Sequence, residues 1–189
     1  MTHQEIVDKV KSILNEHGEV DALSIGDDRV QLENYIGVAI PDAVVMLASK
    51  GYRVNVEAAT SKGGGGALTI DFISLVYAKD TTWKRAITKV TEVGSAEYNI
   101  AMNPYTAPGV NNPMCYVDPQ NNGNALLFLP GMESTGIVQY NKKYDGKNLN
   151  AEPKEATAVC YMAAALVLGM FGDDQGKQRL SDISTNLLN

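Results

Sequence analysis

Histidine and cysteine are scarce in this sequence: two of each occur in 189 residues. Cys115 and Cys160 are too few for a disulfide framework and too far apart for a Cys-x-x-Cys metal knuckle, so both are expected as reduced, buried thiols. His3 and His17 stand in one helical segment about 21 Å apart along its axis, too far to share a metal ion or a catalytic dyad. A zinc site would have to be built mostly from carboxylates, against the metal's preference for nitrogen and sulfur. A basic excess is also missing, since Asp plus Glu number 22 against 16 for Lys plus Arg. That balance argues against a surface written to neutralise phosphate or anionic lipid. No apolar run is long enough for a bilayer: the most apolar stretch, residues 156–171, falls short of the roughly 20 residues a spanning helix needs. Met1 to Glu5 holds no basic region followed by an apolar run, so neither a secretory signal nor a membrane anchor is expected, and the chain reads as made and used in a cytoplasm.

What chemistry-bearing patterns there are lack their second half. Four glycines, Gly63, Gly64, Gly65 and Gly66, follow Lys62, whereas a phosphate cradle needs Gly-Lys-Ser/Thr after the glycines and a helix beyond them. Here a strand pattern follows, so residues 60–66 read as a flexible loop. Gly131-Met-Glu-Ser-Thr-Gly136 has one residue too many for a nucleophile elbow, and no histidine is placed to activate Ser134. Asp27-Asp28 and Asp173-Asp174 could be paired acid/base groups, but each pair opens a helical pattern, where carboxylates cap free amides. Lys142, Lys143 and Lys147 lie among Tyr140 and Tyr144 as a small basic and aromatic strip, a candidate contact surface in an otherwise acidic chain. No catalytic, cofactor-binding or metal-ligating residue is assigned.

The length suits one domain, residues 1–189. Thr2-His-Gln-Glu5 has capping-box spacing, and Ile6, Val7, Val10, Ile13 and Leu14 recur at helical intervals, predicting a helix over about 2–17. Asp28-Arg-Val-Gln31 opens a second helix over about 28–50, with Pro41 inside it as an expected kink or split. The sheet region spans about 67–141. Residues 68–77, LTIDFISLVY, alternate and are β-branched, residues 86–93 read as a second strand, and 95–102 as a short helix. Three more strands, 114–117, 125–129 and 136–140, are separated by turn chemistry and predict an antiparallel meander or hairpins. Helices over about 153–171 and 173–188 close the chain. The fold class is therefore α+β, with N- and C-terminal helices packed as a bundle around a central antiparallel β meander.

Two stretches point to assembly. Residues 156–171 are apolar on nearly every face, so that helix is buried either in the chain's own centre or against neighbouring subunits. In the last helix Leu180, Ile183, Leu187 and Leu188 form an apolar stripe opposite Asp174, Lys177, Gln178, Asp182 and Asn186. A stripe of this kind needs a partner, either the preceding helix or another protein.

The layout resembles the head-to-tail adaptor, or connector, proteins of short-tailed bacteriophages, in which two N-terminal helices precede a sheet-forming middle and a Tyr/Ala-rich helix leads into a last polar helix. The likeness is carried by Ile6-Val-Asp-Lys-Val-Lys-Ser-Ile-Leu14, by residues 32–47, by Phe128-Leu-Pro-Gly131 and by Glu152-Pro-Lys-Glu-Ala156. Cys160-Tyr-Met-Ala-Ala-Ala-Leu-Val-Leu168, Phe171-Gly-Asp-Asp174 and Gln178-Arg-Leu180 complete it. Pro41 and the four-glycine loop depart from that pattern. The resemblance implies a structural virion protein of the neck, assembled in the host cytoplasm as a homo-oligomeric ring, commonly of twelve subunits. Such a ring sits beneath the portal protein, receives tail or second-ring proteins and extends the channel through which genomic DNA passes without sequence-specific binding. It implies no catalytic residue, cofactor or membrane contact. The candidate contact residues are Leu180, Ile183, Leu187, Leu188, Lys142, Lys143 and Gly63 to Gly66. The rival reading is a small enzyme or ligand-binding domain using the meander as a pocket, with Asp71, Asp118 or Glu133 as polar groups. A third is another minor virion protein, such as a tail completion protein.

Overall fold

The structure, a computed structural model, describes residues 1–17, 29–61, 66–67, 71–117, 125–132 and 136–189. In chain order the elements are α1 (His3–Glu16), α2 (Arg29–Ser49), β1 (Val56–Ser61), β2 (Gly66–Ala67), β3 (Phe72–Lys79), α3 (Ala96–Met102), β4 (Met114–Val117), β5 (Ala125–Leu129), β6 (Gly136–Lys142), α4 (Pro153–Met170) and α5 (Asp174–Leu188). Helix and antiparallel sheet are segregated along the chain, and the class is α+β. The elements fall into two compact units, Met1–Asn55 with Lys143–Asn189, and Val56–Lys142.

The first unit is a bundle of α1, α2, α4 and α5. Helix α1 starts with the expected capping box: the Thr2 amide donates to Glu5 Oε2 at 2.7 Å, and the Glu5 amide donates to Thr2 Oγ1 at 3.4 Å. Its buried side is Ile6, Val7, Val10, Ile13 and Leu14. Helix α2 is continuous through Pro41. Pro41 cannot donate to the carbonyl of Gly37 one turn earlier, so the helix goes without one backbone bond there.

Helix α4 is the axis of the bundle, packed against α1, α2 and α5. That accounts for its apolar character on all sides: ten of its residues, from Ala156 to Leu168, are buried. The alanines at 156, 158, 163, 164 and 165 keep the neighbouring helices close, and Pro153 occupies the first turn, where its missing amide costs nothing. Helix α5 begins on Asp173, whose carboxylate accepts from the Gly176 amide at 2.9 Å. It returns along α4, with Leu180 fully buried and Ser184 Oγ donating to the Ala158 carbonyl at 2.7 Å.

The chain leaves and re-enters this unit through one hydrogen-bonded junction. Buried Asn55 donates its side-chain amide to the Lys143 carbonyl at 3.3 Å, and its Oδ1 accepts from the Asn150 amide at 3.0 Å. Beside it, the Met1 carbonyl accepts from the Leu149 amide and the His3 amide donates to the Lys147 carbonyl, both at 2.8 Å.

The second unit holds two small antiparallel sheets, ordered β1-β6-β3 and β2-β5-β4. The expected meander is rearranged: β4 and β5 pair as neighbours, but β6 leaves them and lies between β1 and β3. Central placement suits β6, whose Val138 and Tyr140 face a shared core of Leu75, Ala78, Trp83, Ile87, Cys115, Leu126 and Phe128. Residues 86–93 are not a strand. Ile87 exchanges both backbone bonds with Ala78 of β3, while the Thr91 amide donates to the Cys115 carbonyl of β4. A segment that gives one bridge to each sheet cannot run along either. Conversely, β1 follows Gly51 where no strand is expected from the sequence, because Val56-Glu-Ala-Ala-Thr-Ser61 carries little of the β-branched alternation that marks a strand. The strand expected over 68–77 appears as β3, displaced to Phe72–Lys79, with Asp71 in the preceding turn and residues 68–70 outside the described residues.

Candidate functional site

Each unit exposes one surface whose composition asks for a partner. On the bundle, α2 buries Ile36, Ala39, Ile40, Ala43, Val44, Leu47 and Ala48, yet its outer side is also apolar. Tyr35, Val38, Val45 and Met46 are exposed, Val38 by 60%. Spacings of three, ten and eleven residues from Tyr35 put them on one side of the helix as a ridge. Asp42 is the exposed charge in the middle of that ridge. The ridge continues onto the end of α4, where Phe171 meets Tyr35 edge-on at a centroid distance of 5.0 Å and Met170 is also exposed. Contiguous apolar surface of this kind marks an interaction site more often than isolated apolar residues do. Leu32–Ser49 is also, by length and composition, apolar enough to cross a bilayer, where the sequence reading expected no run long enough to do so.

On the sheet unit, a groove of about 400 Å³ lies between residues 86–91 on one side and α3 with the loop after it on the other. Its lining mixes Ile87, Ala101, Pro108, Pro113 and Met114 with Lys89, Thr91 and Glu97. Lys89 and Glu97 pair across it at 3.5 Å, both largely in solvent, so the pair stabilises little. The segments that line the groove also carry exposed apolar residues outside its lining: Ile100 and Met102 on α3, then Tyr105, 97% exposed, and Val110. The loop is held by its own bonds, the Tyr105 amide to Asn103 Oδ1 at 3.0 Å and Thr106 Oγ1 to the Ile100 carbonyl. The Lys84 amide donates to the Val110 carbonyl at 2.8 Å, which brings exposed Lys84 and Arg85 to the same border.

The residues singled out from sequence lie elsewhere. Leu180 is inside the bundle, and Ile183, Leu187 and Leu188 are half-buried, with α4 as the partner that the α5 stripe requires. Lys142 is half-buried and paired with Glu57 at 2.8 Å, and Lys143 is exposed at the junction. Gly66 pairs with Leu126 in the second sheet, while Gly63, Gly64 and Gly65 lie outside the described residues, as do Asp27, Asp28, Asp118 and Glu133. Asp173 caps α5 as expected.

Several titratable groups among the described residues are engaged within the fold. Asp80 is fully buried and accepts from the amide and hydroxyl of Thr82 at 2.9 and 2.7 Å, while Lys79 donates to the Trp83 carbonyl; together they shape one turn. His3 Nδ1 lies 3.0 Å from Tyr144 Oη, whose pKa is raised by burial and then by the neighbouring Asp145. Burial pushes the Cys115 thiol up to about 12 and the Cys160 thiol to about 11, the latter against the opposing pull of Lys9. Neither is a thiolate at neutral pH, which leaves it a poor nucleophile or metal ligand. Among the described residues no three His, Cys, Asp or Glu side chains gather where a metal ion could be held.

The ridge escaped sequence reading because a helix apolar on both sides reads as buried. The signal present was the placement of Val38, Val45 and Met46 outside the stripe formed by Ile36, Ala39, Val44 and Leu47. Comparison of the chain with protein-family models gives no match, and comparison with curated proteins gives none either.

Proposed function

We propose that this chain is a structural assembly subunit, a connector of the head-to-tail type found in short-tailed phages. In this reading it forms a homo-oligomeric ring, of twelve copies in the commonest arrangement, between the portal protein and tail or second-ring proteins in the virion neck. The ring extends the DNA channel and performs no covalent chemistry. The observation that carries the reading is the exposed apolar ridge of Tyr35, Val38, Val45, Met46, Met170 and Phe171, a surface of the kind that subunits cover on assembly. The layout supports it: helices from both chain ends share one bundle, and the antiparallel strands lie between them in sequence, as the connector resemblance requires. In this reading the helices of the subunit form a bundle about the antiparallel sheet region. Negative-stain imaging of the purified chain, alone and mixed with portal rings, tests it. Rings seated on the portal are the expected result, and a monomer that leaves the portal bare overturns it.

The groove on the sheet unit favours a second reading, a small-molecule binding domain, because its volume falls within the range of ligand pockets. Among the described residues its walls carry one solvent-exposed ion pair and a single buried polar residue, Thr91, too little polar chemistry to orient a ligand, which is why assembly is preferred.

A further inference from the structure

We infer that the two exposed surfaces are the two halves of one contact: the α2 ridge of one copy docks on the groove border of the sheet unit of the next. The occupant of each surface is thus a second copy of this chain, and the inference rests on the assembly reading above.

Three observations converge on the pairing. The first is charge. Asp42, exposed in the middle of the ridge, makes no ion pair among the described residues, and residues 32–49 contain Glu33 and Asp42 but no Lys or Arg. At the groove border Lys84 and Arg85 are exposed and likewise make no ion pair among the described residues, whereas Lys89 is already offset by Glu97. An acid amid apolar side chains on one surface therefore meets two uncommitted cations beside apolar side chains on the other, the arrangement that sets register and selects partners. The second is shape. One surface is a convex helical ridge led by Val38, and the other is a concave groove whose lining segments also expose Ile100, Tyr105 and Val110. The third is that the surfaces differ. A ridge that docks on a groove elsewhere on an identical chain makes a head-to-tail contact. Such contacts generate a closed ring when the rotation between copies divides a full turn, and a filament otherwise.

The whole protein is tested by sedimentation velocity over a wide concentration range, with circular dichroism and Trp83 emission showing that each variant is folded. Asp42→Lys alone, and Lys84→Glu with Arg85→Glu, should each raise the concentration for half-assembly roughly tenfold or more, since each sets like charges against each other. The triple variant, with the charges exchanged, should recover most of that loss, a result that general destabilisation does not produce. Val38→Glu, at an exposed position, should abolish assembly. Rings in the wild type that survive all these changes overturn the pairing but leave the assembly reading standing. A triple variant as defective as the single reversals overturns the pairing as well. A wild type that stays monomeric with and without portal overturns both. Flotation with lipid vesicles that is lost in Val38→Glu would assign the ridge to a membrane and also overturn the pairing.

Discussion

Every residue of the sheet unit lies in one uninterrupted stretch, 56–142, whereas the bundle is assembled from both ends of the chain, 1–55 and 143–189. The two also differ in how they are held. The bundle has one axis, α4, around which alanines and aliphatic residues close up, and a polar junction at Asn55 that joins the outgoing and returning strands of the chain. The sheet unit has no central element of that length. Two three-stranded sheets share a core built on Trp83, Phe128 and Tyr140, with Trp83 and Phe128 at 5.8 Å and Phe72 and Tyr140 at 5.9 Å. Charge separates them too: the bundle sequence has fifteen acidic and ten basic residues, the sheet sequence seven and six, so the bundle carries nearly all of the net charge of −6. The difference teaches that closure by the two ends of the chain and pairing within one continuous stretch are divided between the units. A lesion in one should be separable from a lesion in the other.

The single tryptophan makes that separation measurable, because Trp83 reports on the sheet unit while far-ultraviolet dichroism is dominated by the bundle helices. The largest effect is expected from deleting residues 175–189. A helix that served only for docking could be removed without harm, but α5 covers the side of α4 that carries Ala158 and Met162 and buries Leu180. The truncated chain should lose most of its helical signal and keep native Trp83 emission; retention of full helicity would show that α5 is dispensable to the bundle.

Next come Leu168→Ala in the bundle and Leu126→Ala in the sheet unit, both at positions with almost no exposure. Each removes a buried side chain at a cost of about 2–5 kcal/mol. In urea, Leu168→Ala should lower the dichroism midpoint and spare the Trp83 midpoint, and Leu126→Ala should do the reverse. Coincident shifts of both probes in both variants would mean one cooperative domain, the expectation from length alone, and would end the division drawn here.

Asn55→Ala is smaller and cuts at the junction. It removes two part-buried hydrogen bonds, to the Lys143 carbonyl and from the Asn150 amide, a loss of roughly 1–3 kcal/mol for the two together. The dichroism midpoint should fall more than that of a surface Asn→Ala control, and equality with the control would remove the junction from the account.

The least perturbing probe is the pair of buried thiols, one in each unit. Native Cys115 and Cys160 should resist a thiol reagent at pH 8 and react on unfolding. Their raised pKa values, to about 12 and about 11, lie above the roughly 8.5 of an exposed cysteine. The native state thus keeps protons that the unfolded chain releases. This contribution leaves stability unchanged below about pH 8.5 and lowers it as pH rises towards 11 and beyond. Rapid native labelling of one thiol would show that its unit is open.

Much of this was legible in the sequence, for local reasons. The Thr2–Glu5 box, Pro153 at the start of α4 and Asp173 at the start of α5 are signals that act within one turn, and each element begins where its signal stands. The β4–β5 pairing follows from short-range alternation. What was not legible depends on distant partners. Val56 to Ser61 becomes a strand because β6 lies beside it, and residues 86–93 fail to become one because Ile87 and Thr91 are claimed by different sheets. The last-helix stripe was visible, but periodicity gives only the existence of an apolar face, and the choice of α4 as its cover is a tertiary fact. The ridge on α2 was hidden for the opposite reason, since its outer residues are as apolar as its buried ones.

Assembly is the claim on which the functional account stands, and the mass of the wild-type chain in solution tests it most directly. Sedimentation velocity over a hundredfold concentration range should show the 20.4 kDa chain converting, alone or on addition of portal rings, into a closed species of discrete size. A single species at the monomer mass throughout, with portal present as well as absent, would contradict the account.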